Sequence, residues 1–232
     1  MRFILAAAAL AALAGTITPG DTARAATRPV VVELFTSQGC SSCPPADDFL
    51  RELSATRADV LPLAFHVTYW NSLGWRDPFS LELGTERQRL YAAQLGLRQI
   101  YTPQMVIDGR FDAVGSDRPS VGDAIARAAA EDETIPVTVS RDGAGIVTEV
   151  APGSAFGVVF LVGYDRRHET AIGRGENGGR TLVEANIVRS FQSIGRYDGA
   201  ALKLRHALPA GEAAAVLLQR PDGAIVGAAR LE

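Results

Sequence analysis

Apolar residues in this chain alternate between strand-like runs and helical stripes up to Ala130, and fall into short strand-like segments from Thr134 onward. Val30 opens an apolar run that breaks at Ser37-Gln38-Gly39. Cys40-Ser41-Ser42-Cys43 follows, and Phe49, Leu50 and Leu53 resume at helical spacing. The pattern predicts a buried strand that delivers two cysteines to the first turn of a helix. Val60 to Tyr69 predicts a second buried strand, with Pro62 near its start, where a missing N–H is tolerated. After a turn-rich aromatic loop, Asn71 to Phe79, a helix is expected from Thr85 to Leu97. Thr85 is its expected cap, Gln88 stands in capping-box position, and Leu90, Tyr91 and Leu95 share one side. Tyr101 to Arg110 predicts a strand and a tight Asp-Gly turn, with the return strand over Phe111 to Val114. Pro119 to Ala130 predicts a helix with Val121, Ile125 and Ala128 inward, ended by Glu131-Asp132-Glu133.

The later segments are Ile135–Val139, Ile146–Val150, Val158–Tyr164, Thr181–Val188, Leu202–Leu208, Ala213–Arg220 and Ile225–Leu231, with turn signals such as Asp142-Gly143, Pro152-Gly153, Gly178-Gly179 and Asp222-Gly223 between them. Short strands so punctuated predict a small, all-β, sandwich-like C-terminal domain over residues 134–232, after an α/β domain over 28–132. Gly173 to Arg180 resembles a phosphate cradle only in glycine content and is expected to be a flexible hairpin tip.

The first residues change the picture. Arg2, the apolar run Phe3–Ala14 and Ala23-Arg24-Ala25 predict a secretory signal over residues 1–25, too short to span a membrane. The expected address is therefore periplasmic or secreted, without a membrane span after cleavage, where a cysteine pair is oxidised or poised. Charge adds little: 23 basic and 26 acidic residues are interspersed, with no basic stripe, and no nucleic-acid partner is expected.

Cys40 and Cys43 are the only cysteines of the chain, and a bridge between them closes too short a loop to staple the fold. At a helix start the free N–H groups and dipole stabilise a thiolate, the species that attacks disulfides and binds soft metals. The primary expectation is dithiol–disulfide exchange with a protein or small-thiol partner, Cys40 attacking and Cys43 resolving, without a cofactor. One alternative is copper(I) carriage by Cys40, Cys43 and His66; another is an interaction module that keeps an oxidised pair. His66 itself reads first as a hydrogen-bonded, half-buried strand residue. Asp47 and Asp48 read as helix-start acids facing solvent. Tyr69, Trp70, Trp75 and Phe79 are either core or the lining of a partner groove beside Cys40.

The order β-α-β-α-β-β-α, with the cysteine turn after the first strand and Pro103 opening the third, resembles the thioredoxin fold. The resemblance implies a cis Thr102–Pro103 bond against the cysteine pair, with Thr102 tuning it. The blocks ELFTSQGCSSCPPAD, AFHVTYWNSLGWRDPF, ERQRLYA and YTPQMVIDG are similar to those of a family of secreted bacterial proteins of unknown function with a thioredoxin-like fold. Thr68 stands where the aromatic block of that family usually carries an acid.

Overall fold

The computed structural model describes residues 28–231; the expected signal over residues 1–25 lies outside them. Eight strands form one mixed sheet. Its first-half strands are β1 (Val30–Thr36), β2 (Val60–His66), β3 (Gln104–Ile107) and β4 (Phe111–Val114). Helix α1 (Pro44–Thr56) links β1 to β2, and α2 (Glu82–Gln94) leads to β3. After β4 comes α3 (Arg118–Ala129).

β1 pairs in parallel with β2 from Val30↔Val60 to Thr36↔His66, and antiparallel with β3. Thr36 and His66 therefore lie side by side at the strand ends from which the cysteine turn emerges. Alternation along β1 divides the core between two faces. Val30, Val32 and Leu34 pack with Phe49, Leu50 and Leu53 of α1 and with Val121 and Ile125 of α3. Val31 and Phe35 face Tyr91 of α2.

Two boundaries differ from the sequence reading. α2 starts at Glu82 rather than Thr85, and Leu90, read on one side with Tyr91 and Leu95, is 62% exposed while Tyr91 is buried. The buried face of α2 is carried by Gly84, Thr85, Arg87, Gln88, Tyr91 and Ala92. Its polar members are buried because they hydrogen-bond across the sheet, so the apolar stripe pointed to the wrong face. β2 ends at His66, and Val67 to Phe79 is the loop that follows.

The second half contains β5 (Val137–Asp142), β6 (Gly145–Val150), β7 (Gly157–Ala171), β8 (Thr181–Tyr197), β9 (Leu202–Ala207), β10 (Ala213–Gln219) and β11 (Ile225–Arg230). A small sandwich-like domain packed after the first was expected. Instead, the large sheet runs β11-β10-β7-β8-β2-β1-β3-β4, joined across the halves where Ala64 of β2 pairs with Ile187 of β8. A sandwich does exist, but one of its layers is this shared sheet. The other is the three-stranded sheet β5-β6-β9, which buries Ile146 and Val150 against Val159, Leu161, Val216 and Leu218. β7 and β10 are covered on both faces, since Val162, Ala215 and Leu217 point to the core shared with β1 and β2.

β7 and β8 are also longer than their apolar runs. Beyond Tyr164 the charged stretch Asp165–Glu169 stays paired with Val183–Ile187, so the hairpin reaches out to the cysteine turn.

Candidate functional site

Cys40 and Cys43 form a disulfide, with Cys43 as the N-cap residue of α1 and Pro44 and Pro45 opening the helix. Both cysteines are fully buried, while Ser41 and Ser42 between them are exposed. Little donor capacity is left free around the turn. The Cys43 N–H bonds Cys40 O (3.2 Å), and the Ala46 N–H bonds Cys43 O (2.8 Å). The Ser41 N–H is taken by the Glu176 carboxylate at 3.0 Å. Thr102–Pro103 is a cis peptide bond, and Thr102 Oγ1 donates to Cys40 Sγ at 3.4 Å while accepting from Trp70 Nε1 at 2.8 Å.

The hairpin tip expected to be free is anchored on this turn. Asn177 is fully buried, and its Nδ2 donates to Gln38 O (3.0 Å) and Cys40 O (2.9 Å). Gly175, at φ +79°, lies where a side chain would stand 3.1 Å from Trp75 Cβ. A glycine is needed there both for the backbone conformation and for the close approach.

The four aromatic candidates have different places. Trp70 sits over Gly39 and reaches Thr102; Trp75 donates to Gln38 Oε1 at 3.0 Å; Tyr69 donates to Gln88 Oε1 at 3.2 Å. Phe79 packs elsewhere, its ring 5.7 Å from His66 and 4.8 Å from His168. Thr68 Oγ1 donates to Glu82 at 2.6 Å, so an acid faces this position from α2.

Behind the turn lies a buried charged cluster. His66, at the end of β2, is fully rather than half buried, and its Nδ1 bonds Asp77 Oδ2 at 2.7 Å. Asp77 also accepts from the Gln38 and Phe79 N–H groups, both at 2.9 Å. Glu184 of β8 accepts from Gln38 Nε2 at 2.6 Å and stands 3.7 Å from His66 Nε2. Asp47, expected to face solvent, is only 6% exposed and accepts from Thr36 Oγ1 at 2.7 Å. It turns inward because one turn of helix after Cys43 points back to the sheet; Asp48 is the solvent-facing acid and pairs with Arg51.

Burial, reinforced by the Glu184 charge, pushes Asp47 up to about 8. Burial alone would lower His66, but the charges of Asp77 and Glu184 overcome it and raise His66 to about 9. Asp77 is likewise desolvated, yet its His66 partner and its two backbone donors hold it below the usual carboxylate range. Burial raises Glu184.

Gln38, Asp77, Asn177 and Glu184 were not singled out from sequence. Only Glu184 left a signal, an acid inside the apolar run Leu182–Val188. The others reach the site through loops.

Residues 31–219 match the family described as protein of unknown function, DUF1223. The chain belongs to the DUF1223 family. A crystal structure of protein AGR_C_4864 from Agrobacterium tumefaciens is 34% identical, with a TM-score of 0.77 over 87% of this chain and 93% of that one. HBP35 of Porphyromonas gingivalis is 14% identical with a TM-score of 0.59, covering 88% of this chain and 74% of that one, a likeness of fold alone. No curated protein matches. In this DUF1223 chain the match covers the cysteine turn, the Thr102–Pro103 loop and the whole β7–β8 hairpin that closes over them.

Proposed function

We propose that this chain is an exported thiol–disulfide exchange protein built on a thioredoxin-like core, with Cys40 attacking and Cys43 resolving. The observation that carries the reading is the Cys40–Cys43 disulfide at the start of α1, with the Thr102 hydroxyl hydrogen-bonded to Cys40 Sγ. A helix start favours the thiolate that exchange requires, and a neighbouring hydroxyl donor does the same. The β2-β1-β3-β4 order with α1 and α3 on one face and α2 on the other supports the thioredoxin-like reading. Export is proposed from the signal-like first residues, and among the described residues no helix is long and apolar enough to cross a membrane.

A second reading, an interaction module with a permanently oxidised pair, has its own observation: both cysteines are fully buried. Copper(I) carriage has less support, because His66 bonds Asp77 through one ring nitrogen and faces Glu184 with the other.

Expression of Cys43→Ser in the exporting cell separates the readings. Exchange requires Cys43→Ser to accumulate a mixed disulfide through Cys40, Cys40→Ser to trap nothing, and His66→Ala to leave exchange nearly intact. Absence of any adduct on Cys43→Ser favours the module. Copper(I) binding lost in all three variants, without an adduct, favours the carrier.

A further inference from the structure

A cleft of about 370 Å³ opens between α1 and the arm of the β7–β8 hairpin, and its walls carry three guanidinium groups. Asp47, Asp48 and Arg51 reach it from one face of α1, since residues three and four apart on a helix are neighbours. Arg167 comes from β7, and Arg180 stands just before β8. Among the described residues each arginine is tied through a single nitrogen: Arg51 to Asp48 at 3.0 Å, Arg167 to Glu169 at 3.4 Å and Arg180 to Asn177 Oδ1 at 2.9 Å. A guanidinium presents five N–H donors in a planar fork, so most of this donor capacity is unspent.

The floor adds a further donor. Asp47 is only 6% exposed; its Oδ1 accepts from Thr36 Oγ1 at 2.7 Å, and its Oδ2 has no hydrogen-bond partner among the described residues. Burial, reinforced by the Glu184 charge, pushes the group up to about 8, so at neutral pH it is a carboxyl with a hydroxyl to donate. The charges of Asp77 and Glu184 behind it are offset in part by His66. Unspent donors around one cleft suit a ligand that is all acceptor. Carboxylate and phosphate are such ligands, and the guanidinium fork matches both.

The walls also belong to two parts of the molecule. Arg51 rides on α1, whereas Arg167 and Arg180 ride on the hairpin whose tip sits on the cysteine turn. Arg180 serves cleft and tip together. By fixing Asn177 Oδ1 it leaves Asn177 Nδ2 directed at the carbonyls of Gln38 and Cys40, at 3.0 and 2.9 Å. A ligand shared by Arg51 and Arg180 keeps all its contacts only while the tip is down, so its binding favours the closed tip.

We propose that this cleft binds a small oxyanion, a phosphate or the carboxylates of an organic acid, between Arg51, Arg167, Arg180 and the Asp47 carboxyl, and that the bound anion clamps the hairpin tip over the Cys40–Cys43 disulfide. The site goes beyond the exchange reading and does not depend on it. A pair that exchanges disulfides would be gated by the anion, and a permanently oxidised pair would be protected by it.

Calorimetric titration of the oxidised full chain at neutral pH, with inorganic phosphate and separately with succinate, reads the site and tells the two sources apart; chloride holds the ionic strength constant. One-to-one saturation by either anion is expected, with Kd below about 1 mM. Arg167→Gln and Arg180→Gln change exposed side chains and should each weaken binding by about ten-fold or more, the size of a lost hydrogen bond to a charged group. Arg205→Gln removes the same charge from β9, in the other sheet, and should change binding by less than about two-fold in screened solution. Dithiothreitol then probes access to the disulfide. With the anion at about ten times Kd, reduction of the wild type should slow by about five-fold or more, because a ligand held only by the closed form raises its weight by 1 + [L]/Kd. Arg180→Gln should lose this slowing. Absence of saturable binding by both anions, or equal weakening in Arg205→Gln, overturns the site, and saturable binding that leaves the reduction rate unchanged overturns the clamp.

Discussion

Two buried polar networks tie the halves of this molecule together, and they differ in one respect. In the first, Arg87 of α2 donates to both oxygens of Glu33 on β1, at 2.6 and 3.0 Å, and to Gln219 of β10 (3.1 Å) and Tyr91 (2.7 Å). The Tyr91 hydroxyl donates to Glu33, and Gln219 Nε2 donates to Tyr91 and to Gly223 O. The guanidinium lies over the ring of Phe191 at 4.2 Å, where cation–π attraction adds to the ion pair. All three guanidinium nitrogens and both carboxylate oxygens are used. In the second network, Asp47, His66 and Glu184 each keep one buried atom without a hydrogen bond, the last two facing each other at 3.7 Å. A saturated network has nothing left to offer a reactant and serves as a bolt between β1, α2 and β10. An unsaturated one keeps capacity for a proton, and it lies under the cysteine turn.

The largest expected effect breaks the bolt. Arg87→Met leaves Glu33 charged and unpaired inside the sheet, a change that costs about 3–5 kcal/mol when a buried pair loses one partner. For a fold of this size the Tm should fall by about 10 °C, read by circular dichroism at neutral pH. A fall of under about 2 °C would show that the two networks do not differ as their hydrogen bonds indicate.

The same contrast governs what was legible in the sequence. Apolar runs placed all eleven strands of the described residues, because strand burial depends only on local alternation, and the cysteine turn announced itself by its spacing. Arg87 and Gln88 were not legible as core, since nothing local marks a charged helix face whose partner lies on β10, some 130 residues further on. The shared sheet was hidden for a related reason: β8 meets β2 at one register pair, and two-sided burial in β7 and β10 looks like any short apolar run. Asp47 was misread because a helix-start acid faces solvent by default. Only the neighbouring Thr36 and His66, from two strands, make its inward position tolerable, against the like charge of Glu184.

A smaller effect concerns the hairpin that supplies Glu184. Its tip is held on the cysteine turn by Asn177 and by the Glu176 carboxylate on the Ser41 N–H. Asn177→Ala leaves the Gln38 and Cys40 carbonyls without that donor, a loss of about 1–3 kcal/mol. Part of it should appear as easier opening, so reduction of the Cys40–Cys43 bond by dithiothreitol should quicken by about five- to ten-fold, as a change of ~1 kcal/mol allows. An unchanged reduction rate would show that the tip does not control access to the sulfurs.

The smallest expected effect compares two adjacent acids. Asp48 is exposed and its i,i+3 pair with Arg51 is a surface ion pair, so Asp48→Asn should move Tm by less than about 2 °C. Asp47, raised from 3.8 to about 8, behaves otherwise. Between these values the unfolded chain has released the proton that the folded chain still holds, so stability falls as pH rises through this window. His66, raised from 6.5 to about 9, adds a fall in the upper part of the range, because its folded form keeps a proton that the unfolded form has lost. Thermal unfolding of the oxidised protein from about pH 4 to pH 9 should therefore slope downward. Asp48→Asn should leave the slope intact, whereas Asp47→Asn should make it shallower between 3.8 and about 8 and leave the contributions of Glu184 and His66. Equal slopes in the two variants would mean that Asp47 holds no more of a proton in the fold than its solvent-facing neighbour, and the distinction between the saturated and unsaturated networks would lose its chemical content.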